Sequence, residues 1–193
     1  MKRGTVIFLV VAALILLWGV TAYNSLISGD ENVGKLWANV ESQYQRRADL
    51  IPNLVATVKG YAAHERETLE GVVAARARAT QVTVDASSLT PEKLQEYQAA
   101  QGELSSALGR LLMVTENYPD LKANQNFLEL QAQLEGTENR IQVERSRYND
   151  AAGNFNAAIR RFPKNIIAGI ASLERKPYFE ASEGAEKAPK VEF

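Results

Sequence analysis

The sequence predicts an all-α fold: an N-terminal transmembrane helix, then an elongated antiparallel, coiled-coil-like bundle of three long helices, then a short C-terminal helix. Three observations predict it. The first is an uncharged, strongly apolar run at the N-terminus. The second is a set of apolar positions spaced alternately three and four residues apart, the spacing at which helices pack side by side. The third is the lack of any two-residue alternation, which argues against sheets.

Between Arg3 and Asp30 no side chain is charged. Thr5 to Tyr23 is long enough to cross the hydrocarbon core as a helix, and Trp18 and Tyr23 fall where aromatic anchors meet the interface. Lys2 and Arg3 precede the run and predict a cytoplasmic N-terminus. The expected organisation is residues 1–4 in the cytoplasm, 5–23 as a membrane anchor in contact with lipid, 24–29 as a juxtamembrane linker, 30–176 as a helical bundle, and 177–193 as an extended or disordered tail. The competing reading is a cleaved signal peptide, with Val20 and Ala22 at a weak cleavage site. Both readings carry the domain across the membrane.

Asp30, Glu31 and Asn32 suit the first turn of a new helix, because helix amino ends favour acids. Its seam would be Val33, Trp37, Val40, Tyr44, Arg47, Ile51, Leu54, Val58, Tyr61 and Glu65. A helix over about residues 31 to 80 would be roughly 75 Å long. A second start signal is Thr90 as cap with Pro91 in the first helical position. Its seam is Leu94, Tyr97, Gln101, Leu104, Leu108, Leu111, Thr115 and Tyr118, and Pro119 ends it. Asn124 caps a third long helix with seam Phe127, Leu130, Leu134, Thr137, Ile141, Glu144, Tyr148, Ala151, Phe155, Ala158 and Phe162, ended by Pro163. The stretch "NIIAGIASLERKPYF" predicts a short helix across the bundle. These elements make a rod with little room for a central cavity.

Composition removes several function classes. Lys and Arg total 22 against 23 Asp and Glu, a net charge of -1 that gives no basic face for nucleic acid. There is no cysteine and one histidine, His64, so thiolate chemistry and sites of several imidazoles are excluded within one chain. His64-Glu65 has no second His four residues on, and no Glu-x-x-His pair exists for a di-iron bundle. No phosphate-cradling loop or nucleophile elbow is present. No catalytic, cofactor-binding or metal site is assigned, and no small-molecule substrate is evident.

The unusual residues lie on the seams. Arg47 stands between Tyr44 and Ile51, and Glu65 and Glu144 occupy equivalent positions. A charge in a packed seam is costly unless paired, so Arg47 is expected to meet a carboxylate on another helix, such as Glu144. Such groups specify register and oligomer state in coiled coils. Pro52 removes a backbone bond and is expected to kink the helix, with Asn53 placed to satisfy a carbonyl that the bend frees. The first helix also carries Leu36, Val55, Leu69, Val72 and Val73 on its flanks, a surplus of apolar width that self-association or a helical partner would cover.

The runs "ENVGKLWANVESQYQRRADLIPNLVATVKGYAAHE", "RYNDAAGNFNAAIRRFPKNIIA" and "KPYFEA…PKVEF" resemble the LemA family. The resemblance extends from the anchor to Phe193, and the stretch Arg47-x-Asp49-Leu50-Ile51-Pro52-Asn53-Leu54-Val55 is its most specific part. It implies a bacterial single-pass membrane protein whose helical domain is built on a long antiparallel hairpin. It implies no established enzymatic activity, no known cofactor and no catalytic residue. The segment "IIAGIASLERKPYF" departs from the family's usual Gly-Phe-like turn before Lys-Pro.

The expected function is therefore a non-enzymatic, membrane-anchored scaffold that forms homo-oligomers and docks protein partners at the bacterial envelope, with its domain outside the cytoplasmic (inner) membrane. The alternative is an adaptor or regulator of an envelope enzyme such as a membrane protease, acting through the tail. There Val191, Glu192 and Phe193 offer an apolar end with a free carboxylate, the kind of end that backbone pockets capture. A channel subunit is disfavoured by the uncharged span. An enzyme using Arg47, Asp49 and His64 is disfavoured because Asp49 points away from Arg47 on the helical wheel.

Overall fold

A computed structural model describes residues 3–180; Val191, Glu192 and Phe193 lie outside the described residues. The elements are α1 (Arg3–Tyr61), α2 (Arg66–Gln81), a 3-10 turn (Ala86–Ser88), α3 (Pro91–Thr115), α4 (Pro119–Lys122), α5 (Gln125–Arg160) and α6 (Lys164–Ile170). The capping signals act as expected. The Thr90 hydroxyl accepts from the Lys93 N–H ahead of Pro91, and the Asn124 side chain accepts from the Phe127 N–H.

Two expectations about the first helix are corrected. No break occurs at 24–29 and no new helix starts near Asp30: α1 is continuous for 59 residues, about 88 Å at 1.5 Å per residue. Nothing around Asp30 stops a helix, since Gly29 and Gly34 only lower helix propensity and proline is absent until Pro52. The helix foreseen over 31–80 is also divided. The chain leaves helical geometry at Ala62 to Glu65 and returns as α2. Glu65 is thus not a seam residue but the residue before α2, where its carboxylate accepts from Tyr118 Oη at 2.9 Å. Asn124 Nδ2 donates to Tyr61 Oη close by, so contacts from the α3–α5 connection fix the reversal.

Helix directions follow from who meets whom. Along α1 and α5, Tyr61 meets Asn124, Arg47 meets Glu138, Trp37 meets Tyr148 and Ser25 meets Lys164, an antiparallel pairing. α2 runs back along α1, with Arg76 against Ala48 and Val84 against Trp37. α3 turns again and follows the direction of α1, with Tyr97 against Tyr44. Four helical segments therefore pack side by side where three were expected. The extra reversal also absorbs the surplus apolar width: Leu69 and Val72 are buried on α2, Leu36 and Val55 pack partly buried against the core, and Val73 alone of the five stays exposed.

The predicted seams are the core, apart from their ends. Val33 through Val58, Leu94 through Thr115, and most positions from Phe127 to Phe155 are buried. The apolar core falls into two clusters. One surrounds Trp37, Tyr97, Tyr148 and Phe155; the other surrounds Ile51, Leu54, Val72, Leu111 and Phe127. Arg47 lies between them. At Gly29 the helices come so close that a Cβ would sit 3.3 Å from Phe155 Cδ2, so this crossing favours glycine. The last seam position, Phe162, is instead exposed.

Beyond α6 the chain is extended and docked at least as far as Glu180. Phe179 is buried, its ring stacked on Trp37 with centroids 5.7 Å apart and edge-on to Tyr148 at 5.3 Å. The part of the tail at 177–180 is therefore a strap on the bundle. At the other end, the large apolar side chains of α1 from Val6 to Leu14 are exposed, and this helix is long and apolar enough to cross a membrane.

Candidate functional site

The Arg47 side chain is 2% exposed and gathers groups from every long helix. Nη1 donates to Ser105 Oγ at 2.7 Å and to Glu138 Oε2 at 2.8 Å. Nη2 donates to the Gln101 backbone carbonyl at 3.1 Å and to its Oε1 at 2.8 Å. Gln101 Nε2 in turn donates to the Ala79 carbonyl at 3.2 Å, which brings in α2. The guanidinium carbon stands 5.1 Å from the centre of the Tyr44 ring. The expected carboxylate partner is present but its identity is corrected: it is Glu138, not Glu144. In this register Glu144 lies three residues before Arg147 and accepts from its Nη1 at 2.7 Å.

Pro52 leaves the Ala48 carbonyl without its usual donor four residues on. Asn53 does not supply the replacement, because it is exposed. Arg76 does: its Nε donates to the Ala48 carbonyl at 2.7 Å from α2. α1 continues as helix through Pro52.

A second polar system holds the strap. Asn149 donates through Nδ2 to the Phe179 carbonyl at 2.9 Å and accepts the Phe179 N–H at 2.8 Å. Asn156, seven residues on, treats Lys176 the same way, with both bonds at 2.8 Å. A carboxamide carries a donor and an acceptor, so each Asn pairs with the strap as a strand neighbour would. Tyr148 Oη donates to the Pro177 carbonyl at 3.0 Å, and burial raises its phenol well above the ordinary range. Arg145 Nη2 donates to the Glu180 carbonyl, and Lys176 Nζ pairs with Asp30 at 2.7 Å. The sequence reading missed this clamp. Its signal was the heptad spacing of Asn149 and Asn156 beside a seam.

Between α3 and α5 runs a groove of about 650 Å³ with Tyr44 and Arg47 at its floor, and Gly102, Ser105, Glu138 and Arg145 along its sides. Arg47, Gln101, Ser105 and Glu138 are engaged with one another there. A guanidinium carries N–H donors and no acceptor, so it offers neither a base nor a nucleophile. His64 lies exposed in the α1–α2 turn, and Asp49 is exposed and accepts from Gln45 on its own helix, so neither joins Arg47. Among the described residues no group of three or more His, Asp or Glu side chains is placed to hold a metal ion. The arrangement is one that fixes helices in register.

These features define a class: a helical domain held together by a buried polar layer and carried on a helix whose first part can cross a membrane. A family model described as the LemA family matches residues 36–193, and the chain belongs to that family. Magnetosome proteins MamQ 1 and MamQ 2 of Paramagnetospirillum magneticum are each 29% identical to it, over 82% of this chain and 64% of theirs. Protein LemA of Metamycoplasma hominis is 27% identical over 83% of this chain and 69% of its own. The chain thus spans just under two thirds of the length of the two MamQ proteins.

Proposed function

We propose that this protein is a single-pass, membrane-anchored helical scaffold of the bacterial envelope that assembles with further copies and holds partner proteins at a set distance from the bilayer. One observation carries the reading: α1 runs unbroken from Arg3 to Tyr61, so the helix that would span the lipid is also the helix on which the domain is built. With no hinge between anchor and domain, a partner docked on the domain takes its height and orientation from the membrane. Packed layers and an Arg47 whose Nη1 and Nη2 are held by Ser105, Glu138 and Gln101 support a framework, not a reaction centre. The exposed face of α3 offers small residues at Ala99, Gly102, Ser106 and Gly109, where a helix of a second copy could approach closely.

The test has two parts. Mass measurement of the detergent-solubilised full chain is expected to give assemblies that survive dilution. Photo-cross-linkers placed at Gly102 and Ser106 in cells are expected to give adducts, including adducts between copies. A strict monomer that yields no adduct at either position would remove the scaffold reading.

A further inference from the structure

α6 is a poor helix for a soluble domain. Ala168 is its one buried residue, while Ile166 is 53% and Ile170 is 79% exposed. Phe162, in the turn before it, is 81% exposed. Large side chains left so open and so close together mark a contact with something apolar. The position of α6 says what. Lys164 Nζ donates to Ser25 Oγ at 3.1 Å, which sets the start of α6 beside the uncharged run of α1. From there Ile166, Ile167 and Ile170 face Ile15, Trp18 and Tyr23 across an open, mainly apolar cleft of about 770 Å³. Ile15 is ten residues before Ser25, or about 15 Å along the axis. Whatever fills this cleft touches the same α1 residues as the lipid that surrounds the span. The charges agree. Arg160, Arg161 and Lys164 crowd the start of the segment, whereas the Asp30 carboxylate is paired with Lys176.

We propose that the Arg160–Ile170 segment is a membrane-interface foot: Phe162, Ile166 and Ile170 enter the outer leaflet beside α1, and Arg160, Arg161 and Lys164 lie among the lipid phosphates. The inference rests on the reading of α1 as the transmembrane anchor. An apolar face inserted to headgroup depth, flanked by basic residues, is the general form of an interfacial helix. Here it gives the rod a second point of attachment, which resists tilting about the span. The bilayer contact is thereby part of the domain's own structure.

The absence of cysteine makes a clean experiment possible. Single variants Leu9→Cys, Ile170→Cys and Leu128→Cys of the full chain, labelled with a polarity-sensitive fluorophore, are reconstituted into phosphatidylcholine–phosphatidylglycerol nanodiscs that contain nitroxide lipids. Quenching is expected at Leu9 and Ile170 and not at Leu128, with shallow nitroxides more effective than deep ones at Ile170. Quenching at Leu9 with none at Ile170 overturns the foot and leaves the anchor standing. No quenching at Leu9 removes the anchor, and the foot with it. Protection of Ile170 that requires two copies per disc assigns the cleft to a second protomer and overturns the lipid reading. As an independent check, Ile166→Glu with Ile170→Glu in a labelled Phe162→Cys chain is expected to abolish quenching at 162 without loss of helix by circular dichroism. Quenching that persists there sinks the proposal.

Discussion

Arg76 on α2 donates to the backbone carbonyl of Ala48 on α1 at 2.7 Å, in the place of the N–H that Pro52 lacks. A half-buried carbonyl without a donor costs about 1–3 kcal/mol. Arg76→Ala is therefore expected to destabilise the domain by that amount in urea unfolding followed by circular dichroism. In a Pro52→Ala background the residue 52 N–H recovers the Ala48 carbonyl, and the same Arg76→Ala change should cost clearly less. The double-mutant cycle measures the difference, expected at about 0.5–1 kcal/mol or more for groups in direct contact. Additive effects would mean that the guanidinium merely rests near α1.

The Arg47–Glu138 pair predicts an unequal response to removal of its two ends. Arg47 is 2% exposed and Glu138 is 42% exposed. Without Arg47, Glu138 can be hydrated where it stands; without Glu138, the guanidinium is left as a buried charge on neutral acceptors. Breaking a buried pair by removing one partner costs on the order of 3–5 kcal/mol when the other charge stays buried. Glu138→Ala is thus expected to approach the low end of that range, and Arg47→Met to cost less. Measured stabilities in the reverse order would show that the cation is not the costly partner.

The strap gives a prediction about local opening. Asn149→Ala leaves both the N–H and the carbonyl of Phe179 without their partners, and Phe179→Ala removes the ring stacked on Trp37. Either change should free the strap while the helices remain. Trypsin cleavage after Arg175, in the exposed stretch just before the docked residues, reports the opening, and the Lys176–Pro177 bond resists the enzyme. When opening is fast relative to cleavage, the rate follows the open population, and each ~1.4 kcal/mol lost speeds cleavage about tenfold. An unchanged rate in both variants would mean that the strap is held by something other than this clamp.

Local signals were legible in the sequence, and partner identities were not. The seams from Val33 to Val58 and from Leu94 to Thr115 were found because burial along a helix repeats in threes and fours whatever the partner is. The caps at Thr90 and Asn124 were found because they act within one turn. The reversal at Ala62–Glu65 carries no proline and only Gly60 before it, and it is stabilised by Tyr118 and Asn124, more than fifty residues away. The register of α1 against α5 depends on that reversal and on the α3–α5 connection, so Glu144 was as plausible a partner for Arg47 as Glu138. Glu138 stands beside the seam position Thr137 and was not singled out for that reason. Arg76 was hidden similarly: the carbonyl freed by Pro52 was foreseeable, but the donor comes from a helix whose separate existence the periodicity did not disclose.

Glu41 supplies a prediction about pH. Burial raises its carboxyl above the ordinary value of 4.5; the Trp37 indole lowers it and the Asp85 carboxylate raises it again. A carboxyl whose folded-state pKa is raised weakens the folded state when ionised, because the unfolded chain holds the charge more easily. At neutral pH, where both states are ionised, the full cost is present. As pH falls through the folded-state pKa the native protein takes up the proton first and the cost shrinks; below 4.5 it is gone. Glu41→Gln keeps the size and polarity of the side chain and removes the charge, while the Trp37 indole N–H still donates to the Val84 carbonyl. It should therefore raise the melting temperature at pH 7, by an amount that narrows towards pH 4. The side chain is only partly buried, so solvent screens the effect and the gain should be modest. Thermal melts of both chains at pH 7, 5.5 and 4 decide the matter: a constant difference would assign the gain to packing, and a difference that widens in acid would reverse the sign argued here.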